Sequence, residues 1–152
     1  MIARWPLPEP MRQALAQAAA AADAGAVPIG AVVVKDGAII AMAHNGPRDG
    51  HDPTAHAEIV AIRAAATALG QDRLDDCDVW VTLEPCAMCA GAMVHARIAR
   101  VYYAAPDPKG GAVDHGPRLF DQPTTLHRPE VYAGFGETES AELLRGFFRE
   151  RR

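Results

Sequence analysis

Two short stretches, His56-Ala57-Glu58 and Pro85-Cys86-Ala87-Met88-Cys89, set what the fold of this chain has to bring together. They supply one imidazole, two thiols and one carboxylate. Each stretch stands at the start of a predicted helix, and the second follows a predicted strand. Because residues three apart on a helix share a face, Cys86 and Cys89 can contact the same ion. The sequence therefore predicts two helix starts that meet around one metal.

The predicted ligands are His56, Cys86 and Cys89, which leave one coordination position open. Structural zinc sites normally have four protein ligands, whereas catalytic zinc sites keep a position for water. Imidazole and thiolate suit zinc better than magnesium or calcium, and a helix N-terminus favours the thiolate form. An H-x-E followed by P-C-x-x-C is also a known motif of zinc-dependent nucleobase deaminases. We therefore expect one catalytic Zn2+ in each subunit.

Glu58 is predicted to be the catalytic residue, a proton shuttle beside the metal. It follows His56 by two residues on the same turn, which places it near the ion without making it a ligand. A carboxylate there can take a proton from activated water and return protons to a ring nitrogen and a leaving amine. These groups allow hydroxide attack on an amidine-like carbon with loss of ammonia.

The same residues could instead form a redox C-x-x-C pair, a chance H-x-E or a structural zinc site. Both halves at predicted helix starts are far rarer by accident than either half alone. A structural site needs a fourth ligand, but His95 faces away from Cys89 on the same helix. His51 is of interest because its loop leads into the metal helix, whereas Cys77 is expected in the core or at its rim. Three further histidines lack ligand spacing: His44, His115 and His127.

Composition limits the remaining possibilities. Of the 152 residues, 49% are hydrophobic and 22% charged, and no apolar run is long enough to cross a bilayer. The first residues lack a secretory signal pattern, so we expect a cytoplasmic protein with no membrane association. Three cysteines, two of them three residues apart, indicate metal binding more than disulfides. A net charge of -4 counts mildly against nucleic-acid binding.

Periodicity and turn residues predict a three-layer α/β fold in one domain spanning 1–152. Helices are predicted at 9–24, 86–95 and 138–151, and from an N-cap at Asp52 or Thr54 to 69. Strands are predicted at 29–34, 38–43, 78–83, 98–104 and 130–133. The first two strands form a hairpin and, being apolar on consecutive residues, are expected to be covered on both faces. Strand, helix and strand from 78 to 104 predict a parallel pair.

Two features outside the motif bear on the substrate. The connection 105–129, with a short helical turn at Leu119-Phe120, has a length typical of functional or interfacial loops. The last helix has an apolar side, with Leu143, Leu144, Phe147 and Phe148. Its other side carries arginines, namely Arg145, Arg149 and Arg152. That arginine side is suited to phosphates or is an ordinary solvated surface, and composition leaves both open.

The runs 52–58 and 82–98 resemble the bacterial tRNA-specific adenosine deaminases, and the similarity extends to 27–32 and 143–149. The resemblance therefore covers most of the chain. It implies a cytidine-deaminase-like fold with a central mixed five-stranded sheet, a homodimer and one Zn2+ per subunit. It also implies a tRNA anticodon stem-loop as partner, with adenosine converted to inosine at the wobble position.

The same resemblance assigns roles to individual residues. His56, Cys86 and Cys89 would bind zinc, and Glu58 would move protons. Residues matched to the substrate-binding positions of the family are Val27, Pro28, Asn45, Ala57, Glu84, Pro85, Asp107 and Lys109. Among these, Asn45 would hydrogen-bond the flipped base. The Ala57 amide would face its ring, and the loop with Asp107 and Lys109 would contact the substrate backbone.

Three hypotheses therefore stand. The first is an adenosine deaminase that acts on the tRNA anticodon loop. The second keeps the chemistry but acts on a free base or nucleoside of the guanine or cytosine type, which the acidic net charge favours slightly. The third is a non-catalytic, zinc-stabilised RNA-binding or scaffold protein. Glu58 argues against the third, because a structural zinc site has no use for that carboxylate.

Overall fold

The computed structural model describes residues 6–151, apart from the side chain of Arg48. Its α-helices are α1 Glu9–Asp23, α2 Ala57–Leu69, α3 Ala87–Ala96 and α4 Glu137–Glu150. Its strands are β1 Gly30–Lys35, β2 Ala38–His44, β3 Cys77–Leu83, β4 Arg100–Ala105 and β5 Glu130–Ala133. Two 3-10 turns lie at Arg48–Gly50 and Leu119–Asp121, the second at the predicted position. Within the described ranges, no helix is long and apolar enough to span a membrane.

The five strands form one mixed sheet in the order β2-β1-β3-β4-β5. β1 runs antiparallel to both β2 and β3, whereas β3, β4 and β5 are parallel to one another. The predicted parallel pair of β3 and β4, joined by α3, is confirmed. Because of this crossover, α3 begins at the carboxyl end of the central strand β3, and Cys86 lies at that point.

Helices cover both faces of the sheet. On one face, Val33 and Val81 share a core cluster with Ala61 of α2 and Met93 of α3. On the other face, residues one position away, such as Val32, belong to a cluster with α1, and α4 packs against β4. Alternate residues of each central strand are thus buried against different helices. This arrangement confirms the predicted three-layer α/β fold.

The expectation that both hairpin strands are covered on two faces is correct for β1 and wrong for β2. β1 is buried along nearly its whole length. β2 is an edge strand, in which Ala41 and Ala43 are buried but Met42 between them is 46% exposed. The apolar composition of β2 therefore reflects one buried face and one face that the helices only partly cover.

The second helix begins later than predicted. Neither Asp52 nor Thr54 caps α2, because the Asp52 carboxylate accepts hydrogen bonds from the Thr54 amide (2.9 Å) and hydroxyl (2.7 Å). That bonding pattern forms a local turn, a common use of an aspartate at such a position. α2 begins at Ala57, with His56 as its N-cap in extended conformation. Cys86 is likewise the extended N-cap of α3.

The last helix presents its apolar residues less uniformly than predicted. Phe147 is buried, but Phe148 is 54% exposed, because adjacent helix positions point about 100° apart. The Arg151 guanidinium lies over the Phe147 ring, 3.6 Å from its centroid. Arg145 and Arg149 are exposed, as expected for the arginine side. The prediction for Arg152 lies outside the described residues.

Candidate metal centre and adjoining pocket

The three predicted ligands lie together. The His56 Nδ1 atom is 3.6 Å from Cys86 Sγ and 3.5 Å from Cys89 Sγ, and all three ligand atoms are within 4.8 Å of one another. Ligands bound tetrahedrally to zinc at about 2.0–2.3 Å are themselves about 3.3–3.8 Å apart. The donor set and the spacing therefore fit a zinc ion, with room for one more ligand.

The two N-caps explain how a short sequence builds this arrangement. His56 and Cys86 each occupy the last extended position before a helix, and neither side chain accepts a hydrogen bond from the amide groups of the first turn. Cys89 follows Cys86 by one turn and is fully buried. A hydrogen bond from the Cys89 thiol, outweighing the effect of burial, lowers the pKa of Cys86 to about 5. Cys86 is thus ready to bind metal as a thiolate.

Glu58 lies beside the three ligands and is almost completely buried, with 4% of its surface exposed. Burial raises the pKa of its carboxyl group to about 7. The neighbouring groups that also act on this pKa are Cys86, His56 and Cys89. A carboxyl group whose pKa is near neutral can both accept and donate a proton under physiological conditions.

Asn45 connects three parts of the site. Its side-chain oxygen accepts a hydrogen bond from the Ala57 amide at 2.9 Å, and its side-chain nitrogen donates to the Val27 carbonyl at 3.3 Å. The end of β2, the segment before β1 and the first residue of α2 are therefore held together by one amide group. Since Ala57 separates His56 from Glu58, this bond also fixes the backbone that carries both.

A pocket of about 510 Å³ adjoins the centre. Its lining includes Val27, Asn45 and His56 from the predicted site, and also His51 and Asp52 from the loop that leads to α2. The pocket has the size of a small-ligand site, and its polar side chains come from Asn45, His51, Asp52 and His56. Sequence reasoning singled out His51 only for its position in this loop, and no local spacing pointed to its place in the lining. Pro28 is fully buried next to Val27.

The other predicted substrate residues form a second group, around Glu84. The Glu84 side chain is fully buried, and its carboxylate accepts a hydrogen bond from the Asp107 amide at 3.0 Å. The Pro85 carbonyl accepts one from the Ala112 amide at 2.9 Å. Asp107 accepts hydrogen bonds within its own loop, from the amides of Lys109 (3.2 Å) and Gly110 (3.0 Å), and Lys109 is exposed.

Comparison with known proteins identifies the family. A family model described as MafB19-like deaminase matches residues 8–152. A tRNA-specific adenosine deaminase from Agrobacterium fabrum is 58% identical over 142 residues, which cover 93% of each chain. The chain belongs to the deaminase family that includes the tRNA-specific adenosine deaminases. The resemblance described from the sequence is thereby confirmed.

Solved structures place this family member among two kinds of deaminase. A structure from studies of A-to-I editing by tRNA:A34 deaminases at the wobble position of transfer RNA gives a TM-score of 0.87 and 56% identity. That similarity covers 89% of this chain and 98% of the other chain. A guanine deaminase from Bacillus subtilis gives a TM-score of 0.63 and 38% identity, covering 81% of this chain and 82% of the other. The cytidine-deaminase-like fold predicted from the sequence is confirmed.

Proposed function

We propose that this protein is a zinc-dependent hydrolase that converts adenosine to inosine at the wobble position of a tRNA anticodon loop. The observation that carries the proposal is the meeting of His56, Cys86 and Cys89 beside a buried Glu58. High identity to tRNA-specific adenosine deaminases over nearly the whole chain supports the choice of substrate. The protein would act in the cytoplasm, the compartment in which bacterial tRNA is found.

The three ligands would hold one zinc ion in each subunit. Zinc bound there supplies Lewis-acid activation of a water molecule at neutral pH. His56 and Cys86 are fixed by their positions as N-caps, and Cys89 by its burial within α3. The fold therefore fixes the three ligand side chains relative to one another.

Glu58 would be the catalytic acid and base. Its carboxylate would take one proton from the attacking water and deliver it to a ring nitrogen of the base. It would then take the second proton of that water from the new hydroxyl group and deliver it to the amine, which leaves as ammonia. Because burial raises the pKa of Glu58 to about 7, the proton is gained and lost with little cost near neutral pH. The same burial keeps bulk water away from the transferred proton.

The pocket beside the centre would receive the base. An adenosine in a loop is already partly unstacked, so it can be flipped into a pocket at modest cost. The bonds of Asn45 to Ala57 and Val27 use one of its two N–H donors, and the second can meet the base. Val27 would pack against the ring, supported from behind by the buried Pro28, with the Ala57 amide nearby.

Contacts to the RNA backbone would come from two places. The loop with Asp107 and Lys109 follows β4 and is bonded to the segment just before Cys86. Glu84 and Pro85 would contribute by holding this loop. The exposed Arg145 and Arg149 of α4 would attract phosphates despite the acidic net charge, because local positive charge dominates binding to a polyanion.

The protein is further proposed to be a homodimer. Support comes from apolar side chains exposed on and near α3, where Met88 is 37% exposed and Leu126 is 85% exposed. Apolar side chains exposed close together are typical of protein–protein interfaces. Sedimentation velocity would give the mass of two chains. A single-chain mass at micromolar concentration would contradict the proposal.

A second candidate function is deamination of a free base. The likeness to a guanine deaminase at 38% identity favours it, since the same zinc chemistry serves a purine amine. Both the identity and the TM-score are higher for the tRNA-editing structure. We therefore rank guanine or cytosine-type substrates second.

Ammonia release from a substrate panel tests these functions together. The zinc-loaded protein is incubated with an anticodon stem-loop that carries adenosine at the wobble position, with the same stem-loop carrying guanosine there, and with free guanine, cytosine and adenosine. We expect ammonia only from the adenosine stem-loop. Ammonia from guanine or cytosine alone would support the second candidate, and none from any substrate would support a non-catalytic role.

A further inference from the structure

Glu84 lies between the central sheet and the loop that follows β4. It directly follows β3, two residues before Cys86, and its side chain is fully buried. Burying a carboxylate is unfavourable unless hydrogen bonds replace the lost water. The bonds that replace water here come from a single loop, the segment 107–115.

Five hydrogen bonds converge on this carboxylate. One oxygen, Oε1, accepts from the Asp107 amide at 3.0 Å and is 2.7 Å from the His115 Nδ1 atom. The other oxygen, Oε2, accepts from the amides of Val113 (3.1 Å), Asp114 (3.0 Å) and His115 (3.1 Å). A carboxylate offers roughly four lone-pair positions, so this one is saturated.

The backbone of the loop packs directly against the Glu84 carboxylate at Gly111. A Cβ atom added to Gly111 would lie 2.5 Å from the Glu84 carboxylate and 2.5 Å from the Asp107 carbonyl oxygen. Only glycine allows this approach, since real Cβ atoms do not come so near. The Asp114 side chain is in turn bonded to the Tyr103 hydroxyl on β4.

The loop contains no helix or regular strand between 107 and 115. Its shape is therefore set by these bonds, by its internal turn at Asp107, by the bond from the Ala112 amide to the Pro85 carbonyl and by the burial of Val113 in the core, rather than by backbone ladders. Bonds from amides to an ionised carboxylate are stronger than neutral ones, which suits the role of holding an irregular segment.

We propose that Glu84 is a positioning residue: its buried carboxylate folds the 107–115 loop and thereby fixes Asp107 and Lys109 for the substrate backbone. His115 contributes two of the five hydrogen bonds from the loop side, and we call the five bonds together the Glu84 anchor. This inference rests on the proposed function and assigns different roles to two carboxylates. Glu84 governs affinity for the RNA, and Glu58 governs the chemical step.

Three variants test the anchor from different sides. Glu84→Gln replaces an acceptor by an N–H donor that faces the loop amides. Gly111→Ala leaves Glu84 unchanged but forces the loop away from it. His115→Ala removes one bond of the five. The matched control is Glu9→Gln, the same chemical change at an exposed carboxylate that pairs with Arg12 on the surface.

Two measurements are made on each zinc-loaded variant. Hydrogen exchange reports whether the amides of Val113, Asp114 and His115 have lost protection. Steady-state kinetics with the adenosine stem-loop separates KM from kcat. For Glu84→Gln and Gly111→Ala we expect about tenfold faster exchange and about tenfold higher KM, with kcat within about threefold. His115→Ala should give a smaller change of the same kind, and Glu9→Gln none.

Several results would overturn the proposal. Unchanged exchange at these amides in both Glu84→Gln and Gly111→Ala would show that the carboxylate does not hold the loop. Faster exchange with an unchanged KM would show that the loop does not position the substrate. A fall in kcat at constant KM would make Glu84 part of the chemistry. If Glu84→Gln fails to fold, Gly111→Ala and His115→Ala decide.

The results also distinguish a failure of the proposed function from a failure of the Glu84 anchor. If the wild-type protein left the stem-loop unchanged, the proposed function and the role of the loop in RNA affinity would both be wrong. If the wild type is active and the exchange of the loop amides is unaffected by the variants, only the anchor is wrong.

Discussion

The side-chain oxygen of Asn45 accepts the hydrogen bond of the Ala57 amide, 2.9 Å away, in the backbone between a metal ligand and the carboxylate beside it. This bond orients the start of α2 toward the pocket. It also leaves Asn45 with a free donor for a base. Under the proposed function, this one side chain would link the geometry of the metal centre to recognition of the substrate.

Replacing Asn45 tests that coupling. Asn45→Asp keeps an acceptor for Ala57 but cannot donate to Val27 or to a base, whereas Asn45→Ala loses every bond. Because two hydrogen bonds are lost in Asn45→Asp and three in Asn45→Ala, kcat/KM should fall by about 10- to 100-fold in both variants. Zinc content should stay at one per chain. Equal activity of wild type and Asn45→Asp would mean that the base does not use the Asn45 donor.

Glu58→Gln should abolish turnover while zinc stays bound. Glutamine has nearly the same shape but cannot carry a proton back and forth, so kcat should fall by about 10²- to 10⁴-fold. Metal analysis and single-turnover deamination of the stem-loop measure the two effects. The comparison variant is His56→Ala, which should lose zinc and activity together. Loss of zinc from Glu58→Gln would mean that Glu58 is a ligand and not a proton shuttle.

The three cysteines should differ in their effect on the metal. Cys86→Ala removes a ligand and should reduce zinc below one per chain, with loss of activity. Cys77→Ala is the matched control, since Cys77 is buried at the start of β3. It should keep zinc and activity, at a stability cost on the order of 1 kcal/mol for a small buried side chain. Dialysis against a chelator should inactivate the wild type, and added zinc should restore it.

Gly30 and Gly146 predict opposite effects of the same substitution. A Cβ on Gly30 would lie 2.0 Å from the Ala14 carbonyl oxygen, so Gly30→Ala must push α1 off the sheet. Thermal unfolding should show that the free energy of unfolding falls by at least about 1–3 kcal/mol. Gly146 has no neighbour within 4 Å of an added Cβ, and alanine should stabilise α4 by up to about 1 kcal/mol. Equal melting temperatures for the two variants would contradict the packing described for α1.

The sequence was most informative where the chemistry depends on local spacing. The three ligands and Glu58 occupy two short motifs, and the structure places the three ligand atoms within 4.8 Å of one another. The hairpin of β1 and β2 and the parallel pair of β3 and β4 also agree with the prediction, because the Asp-Gly turn and the strand-helix-strand unit specify these pairings. The assignment of 1–152 to a single domain stays a prediction.

The features that the sequence did not predict depend on distant residues. Whether β2 is an edge strand is decided by strand order, which its own apolar residues do not encode. Asp52 is a residue type that often caps helices, but its carboxylate instead accepts a hydrogen bond from the Thr54 amide in the preceding turn. The Glu84 anchor joins residues 23 to 31 positions apart, so no local pattern reveals it.

Identification of the product in tRNA tests the central claim most directly. A tRNA transcript whose anticodon begins with adenosine is incubated with the zinc-loaded protein, digested with a ribonuclease, and the anticodon fragment is analysed by mass spectrometry. We predict inosine at the wobble position with the wild type and adenosine alone with Glu58→Gln. Unaltered adenosine at that position after treatment with wild-type protein that releases ammonia from free guanine would contradict the account.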